Sequence, residues 1–134
     1  MSSEPVIERF GPDPGAADLL TVAAPFHADP PLPLIQGLSR LPEAPRTALV
    51  IVADGAPEAS VAAARAAMGA YPGPSRLVRL PQNEGRSRAR NHLIAQARTG
   101  HVLFLDGDMA PADDTFLAGW LAACMHLTAL AAGA

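Results

Sequence analysis

The chain has 134 residues, a formal net charge of -3, 49% hydrophobic but only 4% aromatic residues, and one cysteine, Cys124. That length suits one domain with an aliphatic, alanine-rich core. A lone cysteine excludes a disulfide framework and a cysteine-based metal site, the mild acidity points away from nucleic acid, and a reducing, cytoplasmic compartment is the expectation.

Residues 1–10 lack the basic start and apolar stretch of a signal peptide. Pro5, Gly11, Pro12, Pro14 and Gly15 make residues 1–17 read as a flexible N-terminal arm, leaving 18–134 as the domain. Residues 19–24 form a short apolar run ended by Pro25, as a buried strand would be. After the loop Phe26-His27-Ala28-Asp29, helical spacing of Leu34, Ile35, Leu38 and Leu41 predicts a helix starting after Pro33 and closed by Pro42 and Pro45. Residues 48–53 carry the strongest strand signal and end in Asp54-Gly55. An alanine-rich helix follows over 58–68, stopped by Gly69 and Pro72. Residues 76–80 alternate polar and apolar, as an outer strand does. Residues 87–98 read as a helix with Ala89, Leu93, Ile94 and Ala97 on one face and arginines on another. The run from His101 leads into Asp106-Gly107-Asp108 and reads as a strand buried on both faces. A last helix, capped by Asp113 or Asp114, would turn Phe116, Trp120, Leu121 and Cys124 inward. Residues 115–134 contain no Asp, Glu, Lys or Arg. Their small residues, His126, Thr128 and lack of a basic flank favour a buried helix, and no membrane association is expected.

Strands alternating with helices predict an α/β fold: about four parallel strands with helices on both faces. Right-handed crossovers then bring all strand C-termini to one edge. His27, Asp29, Asp54, Asp106 and Asp108 gather there.

Two aspartates separated by a glycine can bend toward one cation. Hard cations such as Mg²⁺ or Mn²⁺ take oxygen ligands and share them with substrate phosphates. Taken alone, Asp106-Gly107-Asp108 reads equally as an acidic turn. Neither the dinucleotide fingerprint nor the Gly-Lys-Ser/Thr phosphate loop is present. The alternative anion site is Asn83-Glu84-Gly85-Arg86-Ser87-Arg88-Ala89-Arg90-Asn91. A helix starting near Arg86 offers free N–H groups and its dipole to an anion, and Arg86 and Arg90 share a face. Read alone, this is also a solvated basic helix face. His92, His101 and His126 read as surface or structural groups, and Cys124 as a buried small hydrophobe.

The strand ending Ala53-Asp54-Gly55, the segment from Asn83-x-Gly85 to Ala89-Arg90-Asn91, and the strand ending Asp106-x-Asp108 occur in an order that resembles family 2 glycosyltransferases over about residues 19–125. The resemblance implies a GT-A fold and a nucleoside-diphosphate sugar, UDP- or GDP-linked, as donor to an acceptor hydroxyl. It implies that Pro25 and the backbone near Phe26 line the nucleotide pocket, that Asp54 sits by the base or ribose, and that Arg90 and Asn91 shape the nucleotide site. It further implies that Asp106 and Asp108 hold the ribose and a divalent cation, Mn²⁺ or Mg²⁺, on the diphosphate. The chain departs from the family pattern at Ala53, where a carboxylate is usual, and at His27, where Asn is usual. No carboxylate follows Asp114, so the catalytic base of the acceptor-binding half is expected outside this chain. The expectation is therefore the donor-binding half of a glycosyltransferase; the alternative is a catalytically inactive truncated or non-catalytic nucleotide-binding domain of the same fold.

Overall fold

The apolar runs between glycine and proline breaks form the strands of a single sheet. A computed structural model describes residues 4–15 and 18–131. The domain boundary expected at residue 17 and the last three residues of the chain lie outside the described residues. The strands are β1 (Val6–Phe10), β2 (Leu20–Phe26), β3 (Ala48–Asp54), β4 (Ser75–Leu80) and β5 (His101–Phe104). The helices are α1 (Leu32–Ser39), α2 (Glu58–Ala70), α3 (Arg86–Gln96) and α4 (Phe116–Ala131), with a 3₁₀ turn at Ala44–Arg46. The sheet order is β1-β4-β3-β2-β5. Strands β2 to β5 run parallel, and β1 pairs antiparallel with β4.

The fold is α/β, with helices on both faces. Leu34, Ile35 and Leu38 of α1, Val61, Ala64 and Met68 of α2, and Leu117, Leu121 and Cys124 of α4 join the larger core, with Leu49 and Ile51 of β3. Ala89 and Leu93 of α3 close the opposite face against Val50, Val52, Val78 and Leu80. Covered on both sides, β3 is buried along its whole length, which explains its unbroken apolar run. Each large aliphatic side chain fully buried here contributes about 1.5–3 kcal/mol.

The winding order positions the site. The chain steps from β2 to β3 to β4, then reverses and lays β5 on the far side of β2. Crossovers of one hand that proceed in opposite directions place their helices on opposite faces. Helix α3 accordingly lies on the face opposite α1, α2 and α4, and its start and the loops after β2 and β5 bound a crevice at the C-terminal edge of the sheet, the usual ligand position in such folds.

Several expectations are corrected. The segment read as a flexible arm contains β1, which pairs with β4 from Val6↔Arg79 to Phe10↔Ser75. Strand β4 is therefore not an outer strand, and its Arg76 is only 7% exposed. That guanidinium donates to Gln96 Oε1 (3.0 Å) and Asp13 Oδ1 (2.8 Å), which offsets its burial. Helix α1 begins at Leu32, since a proline in the first helical turn forfeits no hydrogen bond. Strand β5 pairs only with β2 among the described residues, and all four of its residues are half-buried. It is an edge, not a strand enclosed on both faces. On α4 the inner face is Leu117, Leu121 and Cys124, whereas Trp120 is 43% exposed. Among the described residues no helix is long and apolar enough to cross a membrane.

Candidate functional site

A cleft of about 490 Å³ opens at the C-terminal ends of β2, β3 and β5, beside the start of α3. The end of β2 supplies Pro25 and Phe26, and the following loop His27 and Asp29. Asp54 ends β3; Asn83 and Gly85 come from the turn after β4, and Arg86 and Ala89 from α3. Asp106, Gly107 and Asp108 form the wall beyond β5. A side lobe of about 230 Å³ shares Pro25, Arg86 and Asp106 with the cleft and adds Arg90 and Phe104.

The Asp106–Asp108 turn is held from both sides. Leu105 N–H donates to the Ala23 carbonyl (2.9 Å), extending the β5–β2 ladder to the brink of the turn. Gly107 lies against the end of β2: a Cβ there would sit 2.8 Å from the Pro25 carbonyl oxygen. Further along, Pro111 rests on Gly37 of α1, where a Cβ would meet its Cδ at 2.6 Å. The two aspartates themselves are exposed. Glycine between them is required by the close approach of two backbones, not by an unusual dihedral.

Asp54 is engaged differently. It is 5% exposed, and its two carboxylate oxygens accept the N–H groups of Glu84 (2.7 Å) and Gly85 (3.1 Å). The Gly85 N–H is shared with Asn83 Oδ1 at 2.9 Å. Asn83 Oδ1 is thus an acceptor, so its Nδ2 donates to His27 Nδ1, 2.9 Å away. His92 Nε2 reaches Glu84 Oε1 at 3.1 Å on the other side of the turn. Gly55 lets the chain leave β3: its φ is +65°, and any Cβ would lie 2.4 Å from Asn83 N. The N–H groups just ahead of α3, a natural anion site, are thus already satisfied by a carboxylate of the protein.

The arginines divide as their spacing predicts. Arg86 lines both cleft and lobe, Arg90 lines the lobe, and Arg88 faces a separate hollow beside Glu84 and His92. The Arg90 guanidinium carbon lies 4.5 Å from the centre of the Phe104 ring, a cation–π contact that fixes its direction. Asn91 is exposed on α3 and is not among the residues lining either cavity. Sequence reasoning left out Phe104 as the seat of Arg90. The signal was its place at the end of β5, on the face that α3 covers. It also placed Asn83 in the candidate anion segment without its contact with His27.

The cleft wall carries Asp29, Asp54, Asp106 and Asp108 against the single cation Arg86. An anionic ligand would meet net negative charge there unless a cation accompanied it. Among the described residues no group of three or more His, Cys, Asp or Glu is placed to hold a metal ion. Two neighbouring exposed carboxylates do fit a hard divalent cation that completes its shell with water and ligand phosphates.

Comparison with curated proteins finds no match to the chain. The family described as Glycosyl transferase family 2 matches residues 32–129, from α1 into α4. The match includes Asp54, the Asn83–Asn91 segment and Asp106–Asp108, while Pro25, Phe26 and His27 lie ahead of it. Spanning most of the chain and every motif from β3 onward, it means that the protein belongs to glycosyl transferase family 2.

Proposed function

We propose that this chain binds a nucleoside-diphosphate sugar, UDP- or GDP-linked, in the cleft at the C-terminal ends of β2, β3 and β5, as the donor-binding part of a sugar transfer to an acceptor hydroxyl. The observation that carries the reading is the meeting of Asp106, Asp108 and Arg86 in one cleft at the switch point of the sheet. Asp106 and Asp108 would hold a divalent cation, Mn²⁺ or Mg²⁺, whose chemistry is to neutralise the charge that develops on a leaving diphosphate. Arg86 stands on the same wall and would pair with phosphate oxygens. Pro25 and Phe26 provide an apolar floor, with Phe26 buried. Arg90, held over Phe104, bounds the lobe where part of the nucleotide would rest.

A second reading, a domain that binds the donor without catalysing transfer, is favoured by one observation. Asp113, which follows the Asp106–Asp108 turn, is committed to Thr115: its Oδ1 accepts both the N–H (2.9 Å) and the hydroxyl (2.6 Å). Those bonds hold its carboxyl below the usual range and tie it to the start of α4, a poor arrangement for a general base. The binding reading is tested by titrating UDP, GDP, ADP and CDP with and without Mn²⁺. Metal-dependent binding that Asp108→Ala abolishes is the expected result; equal affinity with and without metal, or none, overturns it. Release of sugar to an added acceptor alcohol separates catalysis from binding.

A further inference from the structure

We propose that Asp54 is a positioning residue. Its carboxylate is the built-in anion that shapes the Asn83–Arg86 turn, and it does not read the nucleotide's base. The inference rests on the cleft being the nucleotide site, and it goes beyond that reading by assigning how the site treats the base.

The argument is one of geometry and access. A carboxylate reads a base by accepting an imide or amine N–H, which requires an oxygen facing the ligand. Both oxygens of Asp54 already accept backbone N–H groups, at 2.7 and 3.1 Å, and the residue is 5% exposed. Turning it toward a ligand would strand the Glu84 donor and leave the Gly85 N–H only its bond to Asn83 Oδ1, and a part-buried donor left unpaired is costly. The neighbouring Ala53 cannot take over: it is fully buried in the larger core and has no polar atom. Strand β3 therefore offers no side-chain acceptor to a base.

What Asp54 does instead follows from its partners. It fixes the turn immediately before Arg86, the one cation on the cleft wall. The same turn is pinned by Asn83 through His27 and by Glu84 through His92. Loss of the Asp54 contacts would let Arg86 and the start of α3 wander, weakening the grip on the diphosphate whatever base is attached. Base discrimination by this end of the sheet is accordingly weak, and the diphosphate is the part of the ligand the β3–α3 region recognises.

The test is Asp54→Asn in the full chain. Asparagine is isosteric and keeps one acceptor oxygen, but it sets an N–H₂ against a backbone N–H. Two measurements are made. Amide hydrogen exchange at Glu84 and Gly85 is expected to accelerate about tenfold or more relative to distant amides of β3, and Asp54→Ala repeats the measurement should the first variant relax around its amide. Affinities for UDP, GDP, ADP, CDP and inorganic pyrophosphate, each with Mn²⁺, are expected to fall by one common factor of about ten, the scale of a lost charge-assisted hydrogen bond. Unchanged exchange in both variants overturns the inference. So does a loss confined to one base with pyrophosphate binding intact, or a gain in affinity for all, which would make Asp54 merely repulsive. Should the wild-type chain bind no nucleotide, the nucleotide-site reading and the base assignment fall together, while the exchange data still decide what shapes the turn.

Discussion

Replacing Gly107 by alanine isolates the packing that holds the Asp106–Asp108 turn. The added Cβ would lie 2.8 Å from the Pro25 carbonyl oxygen, 3.5 Å from Phe26 Cβ and 3.6 Å from Pro31 Cβ. The nearest of these is main chain at the end of a buried strand, so it cannot swing aside as a side-chain tip would. Since Gly107 has no positive φ, dihedral strain is not involved and the cost is steric alone. Overpacking of this kind costs about 1–3 kcal/mol. At about 3–5 °C per kcal/mol for a chain of this length, the melting temperature should fall by about 3–15 °C. Gly119→Ala is the matched control. It lies within α4 with nothing within 4 Å of its Cβ position. The same substitution there should stabilise by about 0.5–1 kcal/mol, because alanine loses less backbone entropy in a helix. Thermal and urea melts followed by circular dichroism provide the assay. Gly107→Ala as stable as the wild type, or Gly119→Ala destabilised to the same degree, would refute the claim that contact with β2 is what demands glycine at 107.

Four further outcomes follow from the packing. Tyr71 donates its hydroxyl to the Thr47 carbonyl at 2.7 Å in a buried setting, so Tyr71→Phe should cost about 1–3 kcal/mol by urea denaturation. Burial raises the Tyr71 phenol well above its ordinary value of about 10. Its contribution is therefore whole below that pH and declines above it, so the chain's single tyrosine should ionise only as the protein unfolds, and tyrosinate absorbance rising before the loss of helix would contradict this. The Arg65 guanidinium holds the Glu8 carboxyl below its usual range, through bonds of 2.7 and 3.0 Å. That stabilisation is present above about pH 4.3 and lost as the pH falls, so Arg65→Met should flatten the acid limb of the stability curve and cost no more than about 1 kcal/mol at neutral pH, as partly exposed pairs do. Burial pushes the Cys124 thiol up, so a thiol reagent should react slowly with the folded chain and at the rate of a free thiol in urea; equal rates would place Cys124 on the surface.

Much of the fold was legible because its signals are local. The apolar run at β3 is unbroken since a central parallel strand meets helices on both faces. Pro42 and Gly55 marked where α1 and β3 stop, whereas β2 continues through Pro25 to Phe26 and α2 through Gly69 to Ala70. The meeting of Asp54, Arg86, Asp106 and Asp108 at one edge followed from alternation of strands and helices plus crossover handedness. The misreadings were non-local. Residues Val6 to Phe10 looked like an arm because a five-residue edge strand with exposed Val6 has little periodicity of its own; only pairing with β4 gives it structure. Arg76 looked like an outward side chain because its partners, Asp13 and Gln96, are 63 and 20 residues away in sequence.

The sequence by itself determined which residue types reach the C-terminal edge of the sheet: two aspartates flanking a glycine, a further aspartate after β3, and arginines at the start of a helix. Those follow from order and period, which survive without knowledge of the neighbours. Only the tertiary structure decided how each one is used. Asp106 and Asp108 remain exposed on the cleft wall, whereas Asp54 is buried with both oxygens bonded to the turn that carries Arg86. The physical reason is that a carboxylate satisfies whichever donors lie nearest in space, and the amides of Glu84 and Gly85, thirty residues onward, come within its reach only when β3 and β4 are paired.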